Sequence, residues 1–325
     1  MKTPRTLTHL ALTHLARIGT AVLLCSTAIP ALAVETSEPI RIITIDSADA
    51  DFMAYAYGGV LEGFGYNVEY VRIDYAAQIP ALETGDVDVS TAIWDSTGWD
   101  TLVDVVATGK VLNFGSTGAA IEEGWWYPSY VEELCPGLPD WEALKTPECV
   151  AAFATIETEP RGRFVDAPAD WETDSQVRLD ALGLDFESIS SGSPITMIAT
   201  MKAAVDQKEP VIGWGFVPNW FFEAVDGKFV KLPKDEPGCY DDPAWGPNPN
   251  ATMDCGFSKG FVWKLGTKGF AERAPQAARL LHIFQVETAD VSLATGRVEN
   301  DGENIEDVAA DWVEAHRAEW SGWMK

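Results

Sequence analysis

The chain has 325 residues and a formal net charge of −27, from 50 acidic against 23 basic side chains. With 46% hydrophobic residues it can bury a sizeable core, and its length favours two domains. A surface this acidic repels phosphate backbones and argues against nucleic acid as a partner; it suits a cationic ligand or a salty medium.

Residues 1–33 read as a secretory signal peptide. "MKTPRTLTHLALTHLARIGT" carries Lys2, Arg5 and Arg17 and no acid. "AVLLCSTAIPALA" follows, apolar and ending small-x-small at Ala31-Leu32-Ala33. This run is too short to span a bilayer, and no later segment reaches the ~20 apolar residues a span needs. Leu24 precedes Cys25 where lipoprotein processing expects a small residue. The expectation is an exported, periplasmic protein cleaved after Ala33. Loss of the three cations of that segment takes the charge from −27 to −30.

"IRIITID" predicts a buried strand by its β-branched run. In "SADADFMAYAYGGVLEGFGY", Ser47 or Asp49 can cap a helix, and Phe52, Tyr55, Ala56, Val60 and Phe64 recur at helical spacing. "NVEYVRID" is a second strand. "AAQIPALETG" is a short helix stopped by Gly85, and "DVDVSTAIWD" is a third strand. This β-α-β-α-β run reads as a parallel sheet in an open α/β domain. Ligands in such sheets sit beyond the carboxyl ends of strands, which here are Asp46-Ser47 and Trp94-Asp95.

"GWWYPSYVEEL" opens a second α/β unit. "RGRFVDAPADWETDS" reads as a strand, a loop and a helix start, and "QVRLDALGLDFESIS" as a helix and a turn. "ITMIATMKAAVDQKE" is a helix with the stripe Ile198, Met201, Ala204 and Val205. "PVIGWG" is a strand ending at Trp214, and "VPNWFFEAV" starts a helix with Pro218 near its first turn. After "GKFVKLP" the chain returns to the first unit, with helices near residues 271–286 and 304–324. Two α/β lobes crossed twice by the chain leave a cleft where strand ends meet. The expected division is residues 36–117 with 231–325, and residues 118–230.

Beyond Cys25 four cysteines remain, and three pairings are possible. Proximity favours Cys135–Cys149 and Cys239–Cys255. Each closes a loop rich in Pro and Gly, worth roughly 3 kcal/mol in the chain-entropy model. Zinc usually asks for Cys-x2-4-Cys spacing, which is absent. Asp241, Asp242 and Asp254 in the second loop do not follow the EF-hand spacing for calcium and read as solvated loop acids.

All 13 tryptophans follow residue 33. Trp312, Trp320 and Trp323 share a helical stripe with His316. Trp263 lies in an apolar strand, Trp141 and Trp245 in the cysteine loops, and Trp99 and Trp220 on the helix side of the cleft; packing is their expected role. Trp94, Trp171 and Trp214 differ, standing at strand ends or in a loop before a helix. Glycines flank Trp214 and let its ring stand without backbone clash. Aromatic faces converging on a cleft suit a methylated ammonium, at about 0.5–1 kcal/mol per exposed face and about 2 when dry. Three or four faces give on the order of 6 kcal/mol, short of the roughly 8 a micromolar ligand needs, so a polar handle and closure must add to them.

"GFGYNVEYVRID", "ALETGDVDVSTAIWDSTGWD", "EEGWWYPSYV", "PVIGWGFVPNW" and "DVAADWVEAHRAEWSGWM" resemble the periplasmic substrate-binding proteins of glycine betaine/proline-type ABC importers. The resemblance spans about residues 40–323. It implies an α/β, two-lobed clamshell of the type II kind, with two open sheets and hinge crossings. It implies an aromatic box for glycine betaine, proline betaine, choline or trimethylamine N-oxide, and docking of the closed form on a membrane permease. Carried over by residue, the box is Trp94, Trp171 and Trp214, with Trp126 and Tyr127 as further walls. The loop Asp170-Trp171-Glu172-Thr173-Asp174 departs from what a carboxylated betaine needs. Its acids either point outward as helix-start charges or exclude a free carboxylate. In the second case trimethylamine N-oxide or choline is favoured, and Glu172 would accept from a protonated N-oxide or a hydroxyl. No cofactor is expected, and the protein is expected to be a monomer.

An enzyme is the rival class. No Gly-x-Ser-x-Gly, His-Glu-x-x-His or P-loop occurs, and only His282 and His316 lie outside the signal segment. A glycosidase with paired carboxylates, or a sugar-binding module on tryptophan platforms, stays open as the alternative.

Overall fold

The computed structural model describes residues 34–323, without the side chains of residues 97–100. The signal peptide expected at 1–33 and the Trp99 side chain lie outside the described residues. From Val34 onward the chain forms one compact unit.

Ten strands are present among the described residues: β1 Ile40–Thr44, β2 Val68–Arg72, β3 Val89–Trp94, β4 Val111–Pro128, β5 Pro136–Pro139, β6 Gly162–Asp166, β7 Phe186–Ser190, β8 Gly213–Val217, β9 Gly227–Phe229 and β10 Gly260–Thr267. All but β5 join one path in the order β2-β1-β3-β10-β4-β8-β6-β7, with β9 also on β4. β1 runs parallel to β2 and β3, which makes the expected parallel three-strand start. β6 runs parallel to β7 and β8 in the second half.

β4 joins the two halves. It pairs with β10 up to Ile121 and with β8 from Glu122 onward, antiparallel in both. It is one strand of 18 residues, where sequence reading recognises only its end, "GWWYP". Gly115 and Gly118 interrupt its apolar pattern, so no simple alternation announces it.

Burial on both faces explains the β-branched runs. Every residue of β3 is buried, as are Ile40, Ile42 and Ile43 of β1. Gly85 ends the helix Gln78–Thr84 in the left-handed conformation, φ 78°, as its position predicts. The helix Ala48–Gly63 packs on the helices Thr288–Glu299 and Ile305–Ala315. Trp312 contacts Phe52 and Phe284 edge to face and stacks on His316, so it is a packing residue. Trp320 packs on Phe64.

Several boundaries differ from expectation. Strand β7 replaces the expected turn, because Phe186–Ser190 pairs with β6 along its whole length. The helix near 271–286 is two, Lys268–Arg273 and Pro275–Ile283, since Pro275 cannot donate to the preceding turn. The helix Thr288–Glu299, opened by a Glu287/Asp290 capping box, is an addition. The last predicted helix divides into Ile305–Ala315 and Arg317–Trp320.

The two disulfides are those that sequence proximity favours, Cys135–Cys149 and Cys239–Cys255. Among the described residues no group of three or more His, Cys, Asp or Glu side chains is placed to hold a metal ion. Among those same residues no helix is long and apolar enough to cross a membrane.

Candidate ligand-binding site

Strand β8 does not end at Trp214. It continues to Val217, and Asn219 caps the next helix by accepting from the Phe221 N–H at 2.9 Å. Trp214 and Phe216 therefore share one face, two residues apart. Antiparallel pairing sets Glu123 of β4 opposite Phe216, and Trp125 opposite Trp214, on that face. The flanking glycines have a different task from the one sequence suggests. A Cβ at Gly215 would stand 2.6 Å from Cβ of Trp126, and one at Gly213 would stand 2.2 Å from the Val165 carbonyl oxygen. They admit close packing on the opposite face instead of freeing the Trp214 ring.

A cavity with ≈ 380 Å³ of atom-free space, part of it open to solvent, lies where the two halves meet. The room inside it for water-sized spheres is only ≈ 30 Å³, so the site in this arrangement is narrow. Its aromatic lining is Tyr75, Trp94, Trp171, Trp214 and Phe216. Its polar lining is Ser47, Asp49, Glu123 and Thr173. Trp94 is the last residue of β3, and its N–H donates to the Tyr75 hydroxyl at 3.2 Å. Trp94 and Trp171 both meet Phe216 edge to face, at 5.7 and 5.4 Å between centroids. The next residue, Asp95, accepts from the Phe261 N–H at 3.0 Å and from Trp263 Nε1 at 2.7 Å, which ties the end of β3 to β10.

Trp171 ends a short turn, Ala169–Trp171, and is half-buried. Glu172 and Asp174 take left-handed backbone angles, φ 50° and 54°. Such angles are uncommon outside glycine and persist only when surroundings fix them. Asp166 supplies that fixing. Its Oδ1 accepts from the Ala167 N–H, Thr173 Oγ1 and Ser175 Oγ at 2.8 to 2.9 Å, and its Oδ2 from Ser188 Oγ at 2.6 Å.

Glu123 is half-buried as a residue, but its Oε2 is shielded from solvent and has no hydrogen-bond partner. Burial pushes its carboxyl up to about 7. Asp49, 3% exposed, accepts from the Ser47 hydroxyl, and burial raises its pKa as well. Outside the cavity lining, burial raises Glu299 to about 7; it accepts from Trp220 Nε1 at 2.8 Å and Asn219 Nδ2 at 3.1 Å. The polar end of the cavity thus holds protonatable carboxyls and no cation among its lining residues.

Of the residues singled out by sequence, the structure brings Trp94, Trp171 and Trp214 to one cavity. It places Trp126 and Tyr127 elsewhere, both fully buried. Trp126 packs on Phe221 and Phe222, on the far face of β4, and the Tyr127 hydroxyl donates to Glu132. Glu172 is exposed and lines a separate pocket with Asp174, not the aromatic cavity. Asp170 faces the Tyr75 N–H at 3.4 Å. Sequence reasoning misses Phe216, Tyr75, Asp49 and Glu123 as wall residues. Two-residue periodicity from Trp214 points to Phe216; Glu123 needs the register of β4.

The described chain matches, over residues 38–315, the family model for the substrate binding domain of ABC-type glycine betaine transport systems. It is 30% identical over 298 residues to the trimethylamine N-oxide-binding protein of Pelagibacter ubique, covering 90% of this chain and 93% of that one. It is 23% identical to the glycine betaine-binding periplasmic protein OusX of Dickeya dadantii, covering 85% and 86%. Among solved structures it resembles the glycine/betaine/L-proline-binding protein ProX from Borrelia burgdorferi, with a TM-score of 0.70 at 18% identity over 88% of this chain and 96% of that one. The fold is the two-lobed α/β binding-protein fold.

Proposed function

We propose that this chain, which belongs to the family of substrate-binding domains of ABC-type glycine betaine transport systems, captures a methylated amine without a carboxylate, trimethylamine N-oxide first among them. The observation that carries this reading is the pairing of an aromatic cavity with Glu123 and Asp49 as its acids. The methylated nitrogen is attracted by ring faces, at about 0.5–2 kcal/mol each. A protonated Glu123, with its pKa near 7, can donate to an N-oxide oxygen. A betaine carboxylate in the same place would meet acids and no cation. Burying a charge without a partner is expensive, so the site discriminates against it. The similarity to a trimethylamine N-oxide-binding protein supports the same choice.

The mechanism is capture. We assign residues 36–117 with 231–325 to one lobe and 118–230 to the other, and the pairing switch of β4 between Ile121 and Glu122 supports one crossing there. Closure brings Trp94 of the first lobe over a ligand seated against Trp171, Trp214 and Phe216 of the second. The closed form, a monomer in the periplasm, would then deliver the ligand to its permease.

Calorimetric titration tests the reading. Trimethylamine N-oxide should bind tightest, choline more weakly, and glycine betaine weakest of the three, with quenching or enhancement of tryptophan fluorescence. Binding of sugars with no response to any methylated amine would overturn it.

A further inference from the structure

The loop closed by Cys239–Cys255 leads into Phe257, which packs on a wall residue of the aromatic cavity, and the function just proposed assigns the loop no part. Both cysteines are fully buried. Two residues past Cys255, the Phe257 ring meets the Trp214 indole edge to face, centroids 4.8 Å apart and planes at 84°. The guanidinium of Arg178 lies 4.2 Å from the centre of the Phe257 ring. Its Nη1 donates to the Cys255 and Gly256 carbonyls at 2.9 and 3.1 Å. Asn248 adds a second tether, donating from Nδ2 to the Ala181 carbonyl at 2.7 Å. Arg178 and Ala181 belong to the helix Ser175–Ala181, which follows the Trp171 loop directly. Past Phe257 the chain crosses to β10, where Gly260 pairs with Ile121. The disulfide loop lies in the stretch 231–325 assigned by sequence to the first lobe, but its contacts fix it to the half that carries Trp171 and Trp214, and the chain turns to β10 only past Phe257.

From this arrangement we infer that Arg178 and Phe257, held by the Cys239–Cys255 disulfide, are positioning residues for Trp214 and set ligand affinity without touching the ligand. An indole at a cavity wall keeps one angle only if its other side is packed. Phe257 supplies that packing, and Arg178 fixes Phe257 by stacking on it and by holding the backbone before it. The planar guanidinium does both at once, which a lysine ammonium cannot. The other disulfide, Cys135–Cys149, has no residue in the cavity wall and serves as an internal control.

The inference rests on the proposed cage, and the experiment separates the two. Trimethylamine N-oxide, choline and glycine betaine are titrated into wild type, Phe257→Leu, Arg178→Lys, the double variant Cys239→Ser/Cys255→Ser and the double variant Cys135→Ser/Cys149→Ser, each well below its own Tm. The first three variants should weaken binding of the best wild-type ligand about tenfold, the upper worth of an edge-to-face aromatic pair. The Cys135/Cys149 variant should lose Tm and bind within about twofold of wild type, because loosening a remote loop leaves Trp214 seated. Equal weakening by both cysteine variants, or wild-type affinity in Phe257→Leu and Arg178→Lys, overturns the inference and leaves the cage standing. Wild type that binds no methylated amine overturns both. If the Cys239/Cys255 variant does not fold, the two single variants against wild type decide.

Discussion

The indole of Trp94 and the ring of Phe216 meet edge to face, 5.7 Å apart with planes at 82°. Trp94 ends β3 in one half of the molecule, and Phe216 lies on β8 in the other. Phe216 also meets Trp171, so one side chain joins two walls of the cavity. Phe216→Leu keeps a buried apolar group of similar volume, at a cost to stability of about 1 kcal/mol. It removes the ring contacts with Trp94 and Trp171 together with the one to Phe222. Trimethylamine N-oxide affinity should fall about tenfold by calorimetry while Tm drops by only a few degrees.

The three tryptophans are not equal tests of the cage. Trp94 and Trp214 are 6% and 1% exposed, so replacing either by alanine opens a core cavity and costs about 3–5 kcal/mol of stability. Trp171 is half-buried in a loop, and its ring can go with little loss elsewhere. Trp171→Ala should weaken binding 10- to 30-fold, equal to about 1.4–2 kcal/mol, and leave the unliganded melting curve nearly unchanged. Unaltered affinity in this variant would remove Trp171 from the cage.

How much of this was legible beforehand follows from the range of the interactions involved. The β1–β3 start, the short helix ended by Gly85 and the convergence of Ser47 and Trp94 on one cavity follow from local pattern, because the strands lie parallel and side by side. The cysteine pairs are also local. Glu123 was not legible, since only the pairing of β4 with β8 sets it beside Phe216. Trp126 misled for the same reason: β4 turns its ring to the far face, against Phe221 and Phe222. The acids at 170, 172 and 174 drew attention by proximity in sequence to Trp171, yet none of them lines the aromatic cavity.

Under the proposed function, Glu123 should make binding depend on pH in a direction that distinguishes the ligands. Burial raises its carboxyl to about 7, so the neutral acid predominates below neutrality. An N-oxide needs that proton, and its affinity should fall up to tenfold per pH unit above 7. Choline, a cation with a hydroxyl to donate, should gain affinity over the same range as the carboxylate forms. Glu123→Gln keeps a donor and cannot ionise, so it should flatten the profile for trimethylamine N-oxide. A profile for the wild type that is flat from pH 6 to 8 would exclude Glu123 from the contact.

The same burial acts on the unliganded protein. Glu123 and Glu299 both have folded-state values of about 7, above the ordinary 4.5. A group raised in this way contributes stability that is present below 4.5 and is lost as pH rises through 7. The contribution from these two carboxyls should therefore make Tm fall by several degrees between pH 5 and 8. Glu123→Gln should reduce that slope, as measured by calorimetry across the range.

The Trp171 wall depends on Asp166, which never reaches the cavity. One carboxylate accepts four hydrogen bonds and holds Thr173 between two residues with left-handed backbone angles. In Asp166→Asn the amide nitrogen replaces an acceptor, so at least one of the hydroxyls Thr173, Ser175 and Ser188 must turn away or lose its partner. A buried group left unpaired costs about 1–3 kcal/mol, enough to release the left-handed turn. Thr173 and Trp171 would then sample other positions, and the cavity would lose its preorganised shape. Affinity should fall about five- to tenfold, with faster ligand release in stopped-flow tryptophan fluorescence. A variant that loses Tm by several degrees but releases ligand at the wild-type rate would show that Asp166 supports the fold alone.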